Sequence, residues 1–177
     1  MTTRILSCPV PDNINPLSPN GFMFSIEKLP QLTYFAQQVS LPMVTLSGAE
    51  MATPFVKIPI AGDVPDFTSL GVQFLIDERM ENYVAIHNWI TGLGFPESNT
   101  QYSDFINSST IPGSELKRSY SDGTLTILGN SNNPIQTIQF FDLYPESLGT
   151  ITFLSTSQDV QYLVGDVTFR YSYYKFI

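Results

Sequence analysis

Few residues of this chain have the type and spacing that chemistry requires. The single histidine, His87, falls in a segment with helical periodicity. One imidazole without neighbouring ligands makes neither a metal site nor a catalytic triad, so His87 is expected to be an ordinary helix residue. Asp77 and Glu78 are adjacent carboxylates. A two-carboxylate mechanism needs the groups to flank a cleft, whereas neighbours at the start of a helix are explained by capping and by the helix dipole. Cys8 is the single cysteine, which excludes an intrachain disulfide and a cysteine metal cluster and leaves an inert thiol near the N-terminus.

The glycine-containing stretches fail as nucleotide loops. Gly62-Asp63 lacks both the glycine spacing and the Lys-Ser/Thr of a phosphate loop and is expected to be a turn. Gly92-Leu93-Gly94 ends a helical pattern instead of opening one, the reverse of a dinucleotide fingerprint. Lys117-Arg118 is the sole adjacent basic pair and reads as a solvated loop. Tyr171, Tyr173 and Tyr174 lack the interleaved cations of a base-stacking platform and are expected in core and interface. No catalytic, cofactor-binding or metal-binding residue is therefore assigned, no cofactor is expected, and the chain is read as non-enzymatic.

The 177 residues suit one domain with a sizeable core. Aromatic residues make up 13% of the chain and charged residues only 14%, which predicts apolar surface reserved for a partner. With 8 basic residues against 16 acidic ones, the net charge of -8 excludes an extended phosphate-neutralising surface. It would still allow nucleic acid to slide past an acidic wall without sticking. No apolar run reaches the roughly 20 residues of a membrane helix and none near the N-terminus suits a signal peptide, so a soluble protein assembled in the cytoplasm, with no membrane partner, is expected.

Residues 1–20, with Pro9, Pro11, Pro16 and Pro19, are expected to form an extended N-terminal arm, and residues 21–177 a β domain. Phe22, Phe24 and Ile26 alternate with Met23, Ser25 and Glu27, as in a strand with one buried face. Further strands are expected over 35–41, 43–47, 55–60 and 70–76, with Pro42, Pro54 and Pro59 favouring edges or bulges. Asp77 is expected to cap a helix over about 78–93, where Tyr83, Ile86, Ile90 and Leu93 recur at helical spacing beside Trp89. A polar loop follows to about Tyr120, with a helical turn admitted only over 101–107. Strands return over 123–128, 135–141, 149–154 and 160–176, the first two as a hairpin across Ser131-Asn132-Asn133-Pro134. The fold class is thus mostly β, a barrel or sandwich with one flanking helix.

The ordered set of segments resembles the tail-tube protein family of contractile-tailed, T-even-like bacteriophages. The residues concerned are Gly21-Phe22-Met23-Phe24, Leu41-Pro42, Ile60-Ala61-Gly62-Asp63, Leu70 through Glu78, Tyr144 through Gly149, and Val167 through Tyr171. The resemblance implies a tail-tube-type β domain and a subunit that associates with itself into a ring, a hexamer, with strands pooled around a channel that DNA passes without specific binding. It also implies neighbouring rings and sheath, baseplate or neck proteins as partners, and a place in the virion tail. The proline-rich arm and the polar loop 95–120 depart from repeated tube subunits and admit a tube initiator or tail-completion ring. A second reading is a carbohydrate- or receptor-binding β module of a virion exposing Trp89 or Tyr102, against which Trp89 at helical spacing with Ile86 and Leu93 favours the core.

Overall fold

Alternating apolar residues build the body in the computed structural model, which describes residues 14–94, 96, 98, 100–108, 119–155 and 162–177. The elements in chain order are β1 (Phe22–Ile26), α1 (Pro30–Phe35), β2 (Ala36–Ser40), β3 (Val44–Ala52), β4 (Lys57–Phe67), β5 (Leu70–Leu75), α2 (Glu81–Gly94), α3 (Thr100–Ser108), β6 (Ser121–Leu128), β7 (Pro134–Leu148), β8 (Val164–Arg170) and β9 (Tyr173–Phe176). Seven strands form one antiparallel sheet in the order β1-β6-β7-β8-β5-β2, with β9 also paired to β7. The fold is mostly β, as expected.

Each strand points its apolar set the same way: Phe24 and Ile26 from β1, Leu70, Val72 and Phe74 from β5, Val167 and Phe169 from β8. Phe24, Phe74, Phe140 and Phe169 are fully buried, and each such side chain contributes roughly 1.5–3 kcal/mol over exposure. In β7 the buried positions run Ile138, Phe140, then Leu143, Pro145. The extra residue at Asp142, with φ 55°, lets the strand turn a corner while keeping its apolar face inward. Its partner ribbon breaks at the same place, between β8 and β9, so that Tyr171 and Tyr174 pack on the core. The single strand expected over 160–176 is therefore two, and Tyr174 rather than Tyr173 continues the inward set; residues 156–161 lie outside the described chain. The corner is pinned by Ser172 N–H donating to Phe141 O at 2.9 Å and Ser172 Oγ donating to Asp142 Oδ2 at 2.9 Å.

The expected helix is present but begins at Glu81, three residues late. A turn intervenes, in which Met80 N–H donates to Asp77 O at 2.9 Å and Met80 takes a left-handed φ of 57°. Asp77 still serves the helix start, because its Oδ1 accepts from Asn82 N–H at 3.2 Å. Buried Asn82 ties that start to the sheet by donating to Leu75 O at 2.7 Å. Gly92 admits α3, since a Cβ there would lie 2.7 Å from the Phe105 ring. The helical turn expected over 101–107 is α3. The short α1, with Pro30 in its first turn, was not expected; it packs on β1 and β5.

The 123–128/135–141 hairpin forms as β6 and β7, closed by Gly129 N–H to Asn133 O at 2.8 Å with Asn132 left-handed at φ 58°. No strand occupies 149–154. Strand β7 itself runs on to Leu148 against β8, and Gly149 then passes so close to Asp166 that a Cβ would sit 2.9 Å from it. Of the expected arm, residues 14–20 carry neither helix nor strand, and Asn130 Nδ2 donates to Pro16 O at 3.3 Å; residues 1–13 lie outside the described chain.

Candidate functional site

Strands β3 and β4, of 9 and 11 residues, pair with each other and with no other described strand. None of their residues is buried. They are the expected strands 43–47 and 55–60, each longer than read. Gly62, expected in a turn, is within β4, where a bulge between Leu46 and Gly48 brings Ser47 O so close that a Cβ on Gly62 would overlap it. Pro59 and Pro65 sit in β4, as two-stranded edges permit. Beyond the bulge the hairpin is amphipathic: Ala49 faces Ile60 and Met51 faces Ile58 on one side, while Glu50 and Lys57, 2.9 Å apart, occupy the other.

At its base the hairpin is clamped to the body. Met43 N–H donates to Thr68 Oγ1 at 2.9 Å, Thr68 N–H donates to Met43 O at 3.1 Å, and Tyr171 Oη donates to Thr68 O at 2.7 Å. Phe67 lies edge-on to Tyr174 at 5.5 Å and to Tyr171 at 6.3 Å. Burial, with a smaller contribution from Tyr174, pushes the Tyr171 phenol up to about 12. At the tip, Thr53 Oγ1 donates to Val56 O and accepts from Val56 N–H at 3.1 Å, which leaves Phe55 96% exposed. Met51, Val56, Ile58, Ile60 and Val64 are also exposed. An isolated two-stranded hairpin is marginal in water, and a contiguous apolar surface of this kind marks a contact site.

A second feature lies between α1 and α2. An apolar pocket of about 150 Å³ is lined by Lys28, Leu29, Leu32, Asn82, Ala85 and Ile86, among others. Lys28 Nζ sits 4.9 Å from the Trp89 ring and 4.8 Å from the Phe105 ring. Burial lowers its pKa to about 8. Between about pH 8 and 10.5 the unfolded chain therefore holds a proton the folded one has lost, so stability rises with pH across that window. Lys28→Met should remove this rise: denaturant titrations at several pH values will show the wild-type-minus-variant difference climbing from pH 8 to 10. Tyr171 acts in the opposite sense above pH 10 but is common to both proteins and cancels.

The remaining expected residues are scattered. His87 is exposed on α2, Asp77 and Glu78 lie in the turn before it, and Lys117-Arg118 and Cys8 fall outside the described residues. Trp89 is 3% exposed, packs on Phe169 and donates from Nε1 to Ser119 O at 3.0 Å, so it is a core residue and no sugar platform. Tyr102 is half-buried, its hydroxyl 3.2 Å from Ser119 Oγ. Tyr173 stacks on Phe141 at 4.7 Å, and Lys175 Nζ lies over the Phe141 ring at 5.1 Å. The unsupported hairpin was missed; its sequence signal was apolar alternation from Val44 to Phe67 that no other strand pattern complements.

Neither protein-family models nor curated sequences match this chain. Solved structures do. A chain of the anti-feeding prophage baseplate superposes with a TM-score of 0.63 at 13% identity, covering 92% of this chain and 96% of its own. The tube-terminating cap of the same system superposes at 0.56 with 12% identity and 99% coverage of both chains. A chain of the sheath/tube terminator of an extracellular contractile injection system gives 0.54 at 18% identity, covering 92% and 97%. This chain shares their fold. At these identities the likeness extends to architecture and not to a particular role.

Proposed function

We propose that the protein is a non-enzymatic structural subunit of a contractile tail or injection tube, either repeated along the tube or placed at its end as an initiator or completion ring. The projecting hairpin carries this reading: on a fold shared with baseplate and cap chains, it presents an apolar face that a lone copy leaves in water. A head-to-tail interface that closes by rotation would cover such a face in every copy. Six copies would enclose a channel, with neighbouring rings, sheath, baseplate or neck proteins as axial partners. The acidic balance of the chain favours a wall that lets DNA pass without specific binding. The carbohydrate-binding alternative loses its main residue, because Trp89 is buried.

The test is electron microscopy and sedimentation of the purified chain over a wide concentration range, alone and with co-expressed baseplate or sheath proteins. Annular particles with a central channel are expected. A monomer under every one of those conditions would refute the reading.

A further inference from the structure

The turn that joins the N-terminal arm to β1 is built from Ser18, Pro19, Asn20 and Gly21. Proline second, asparagine third and glycine fourth is favourable turn chemistry. It also sets an asparagine directly before a glycine, the sole such pair in the chain. In that pairing the glycine nitrogen, with no Cβ beside it to crowd the approach, is free to attack the asparagine Cγ. Asn20 is exposed and, with Gly21, lines an open cleft of about 500 Å³ between the arm and the β6–β7 turn. The Asn20 amide makes no hydrogen bond to another described residue.

The other asparagines are withheld from the same reaction. Asn15 and Asn133 precede Pro16 and Pro134, whose nitrogens carry no hydrogen to lose. Asn13 and Asn99 precede Ile14 and Thr100, whose branched Cβ atoms crowd the nitrogen. Asn88 and Asn107 lie in α2 and α3, where the hydrogen-bonded backbone holds the following nitrogen in place. Asn82 is buried and its amide is bonded to Leu75 O. Asn130 has both ends of its amide engaged, Nδ2 donating to Pro16 O at 3.3 Å and Oδ1 accepting from Ser18 N–H at 3.2 Å. Asn132 precedes another asparagine, whose Cβ hinders attack.

We propose that Asn20 is a self-modification site whose isoaspartate product frees the arm from Asn130. The deprotonated Gly21 nitrogen adds to Asn20 Cγ, the Cγ–Nδ2 bond breaks and ammonia leaves, closing a succinimide ring. Water then adds to either ring carbonyl and opens it, giving aspartate or, where the main chain is rerouted through Cγ, isoaspartate. The step needs only water and consumes no oxidant or cofactor. Both products add a negative charge. Isoaspartate also inserts a methylene into the main chain at the entry to β1, where Gly21 O accepts from Leu128 N–H at 2.9 Å and a Cβ on Gly21 would lie 2.8 Å from Leu128 O. So close a contact leaves no room for the added length on the strand side. The displacement therefore falls on the arm, which Asn130 holds through Ser18 N–H and Pro16 O. Nothing in this chemistry depends on ring formation.

The experiment incubates the full chain near physiological temperature in ordinary and ¹⁸O-enriched water over a range of pH. Peptide mass spectrometry should find amide-to-acid conversion at Asn20 at least about tenfold faster than at any other asparagine, and rising about tenfold per pH unit with the deprotonated fraction of the attacking nitrogen. The new acid should carry the heavy oxygen, and fragmentation should show isoaspartate at that position. Preferential conversion at another asparagine would overturn the proposal. So would conversion of Asn20 in the native chain more than about tenfold slower than in urea, since the turn would then protect the site. Asn20→Gln, which would have to close a larger ring, should stay unconverted. Hydrogen exchange at the Ser18 amide should quicken by about tenfold in the isoaspartate chain and stay at the wild-type rate in Asn20→Asp, which has the charge without the added length. Equal protection in all three proteins would refute the release of the arm.

Discussion

Replacing residues 45–66 by a short turn that joins Val44 to Phe67 is expected to abolish self-assembly while leaving the body folded. Every buried core side chain lies outside the removed segment. The clamp at the base also survives, since Met43, Phe67 and Thr68 keep their contacts with each other and with Tyr171 and Tyr174. The unfolding midpoint should therefore shift by no more than a few degrees. Assembly should weaken by about a thousandfold or more, equivalent to about 4 kcal/mol, because an interface loses its anchors and its surrounding contacts together. Sedimentation velocity beside a thermal melt reads both quantities. Assembly at the wild-type concentration would show that the hairpin is not the contact surface, and loss of the body fold would show that it is a structural support.

The largest effect on stability is expected from Phe169→Ala. Phe169 is fully buried in β8, is paired with Leu70 and Pro145, and has its ring 6.4 Å from that of Trp89. Removing a ring from such a site loses its transfer free energy and leaves a cavity, for a cost of about 3–5 kcal/mol. Against a total of about 5–15 kcal/mol this is a large fraction. Urea titration should report a lower midpoint at nearly constant slope. Tyr173→Ala, half-exposed in β9, is the control; losing its stack on Phe141 should cost about 1 kcal/mol. Equal losses for both would mean that the core is centred elsewhere.

The body was legible wherever one period ran without interruption. Phe22 to Ile26, Leu70 to Leu75 and the β6–β7 hairpin could be read because each buries alternate residues against a neighbour, and Trp89 because it shares a helical face with Ile86 and Leu93. Errors occurred where a single residue changes the phase. Met80 in a left-handed conformation delays α2, and the extra residue at Asp142 shifts the inward parity of β7, as the break at Ser172 does for its partner. Neither has a marked local composition; each follows from tertiary packing. The six residues of α1 are too few for periodicity, and only Pro30 announced them. The pocket was invisible because Lys28 and Ala85 meet only in three dimensions. That Val44–Phe67 forms strands was partly readable, but its lack of support is a property of the whole molecule.

The corner at Asp142 also sets an order of events in time. Strands β6 and β7 meet across a short turn, so their ladder can form within microseconds and is the natural early structure. The same β7 then has to wait for residues 164–176 on its other side, while β6 waits for β1, about a hundred residues earlier. Such distant pairings fold slowly. Because one continuous strand serves both halves of the sheet, neither half can finish as an independent unit. A chain leaving the ribosome would thus carry its apolar hairpin into solution before the body beneath it can close, which makes the interval before Tyr173–Phe176 emerge the period of greatest exposure to misassembly.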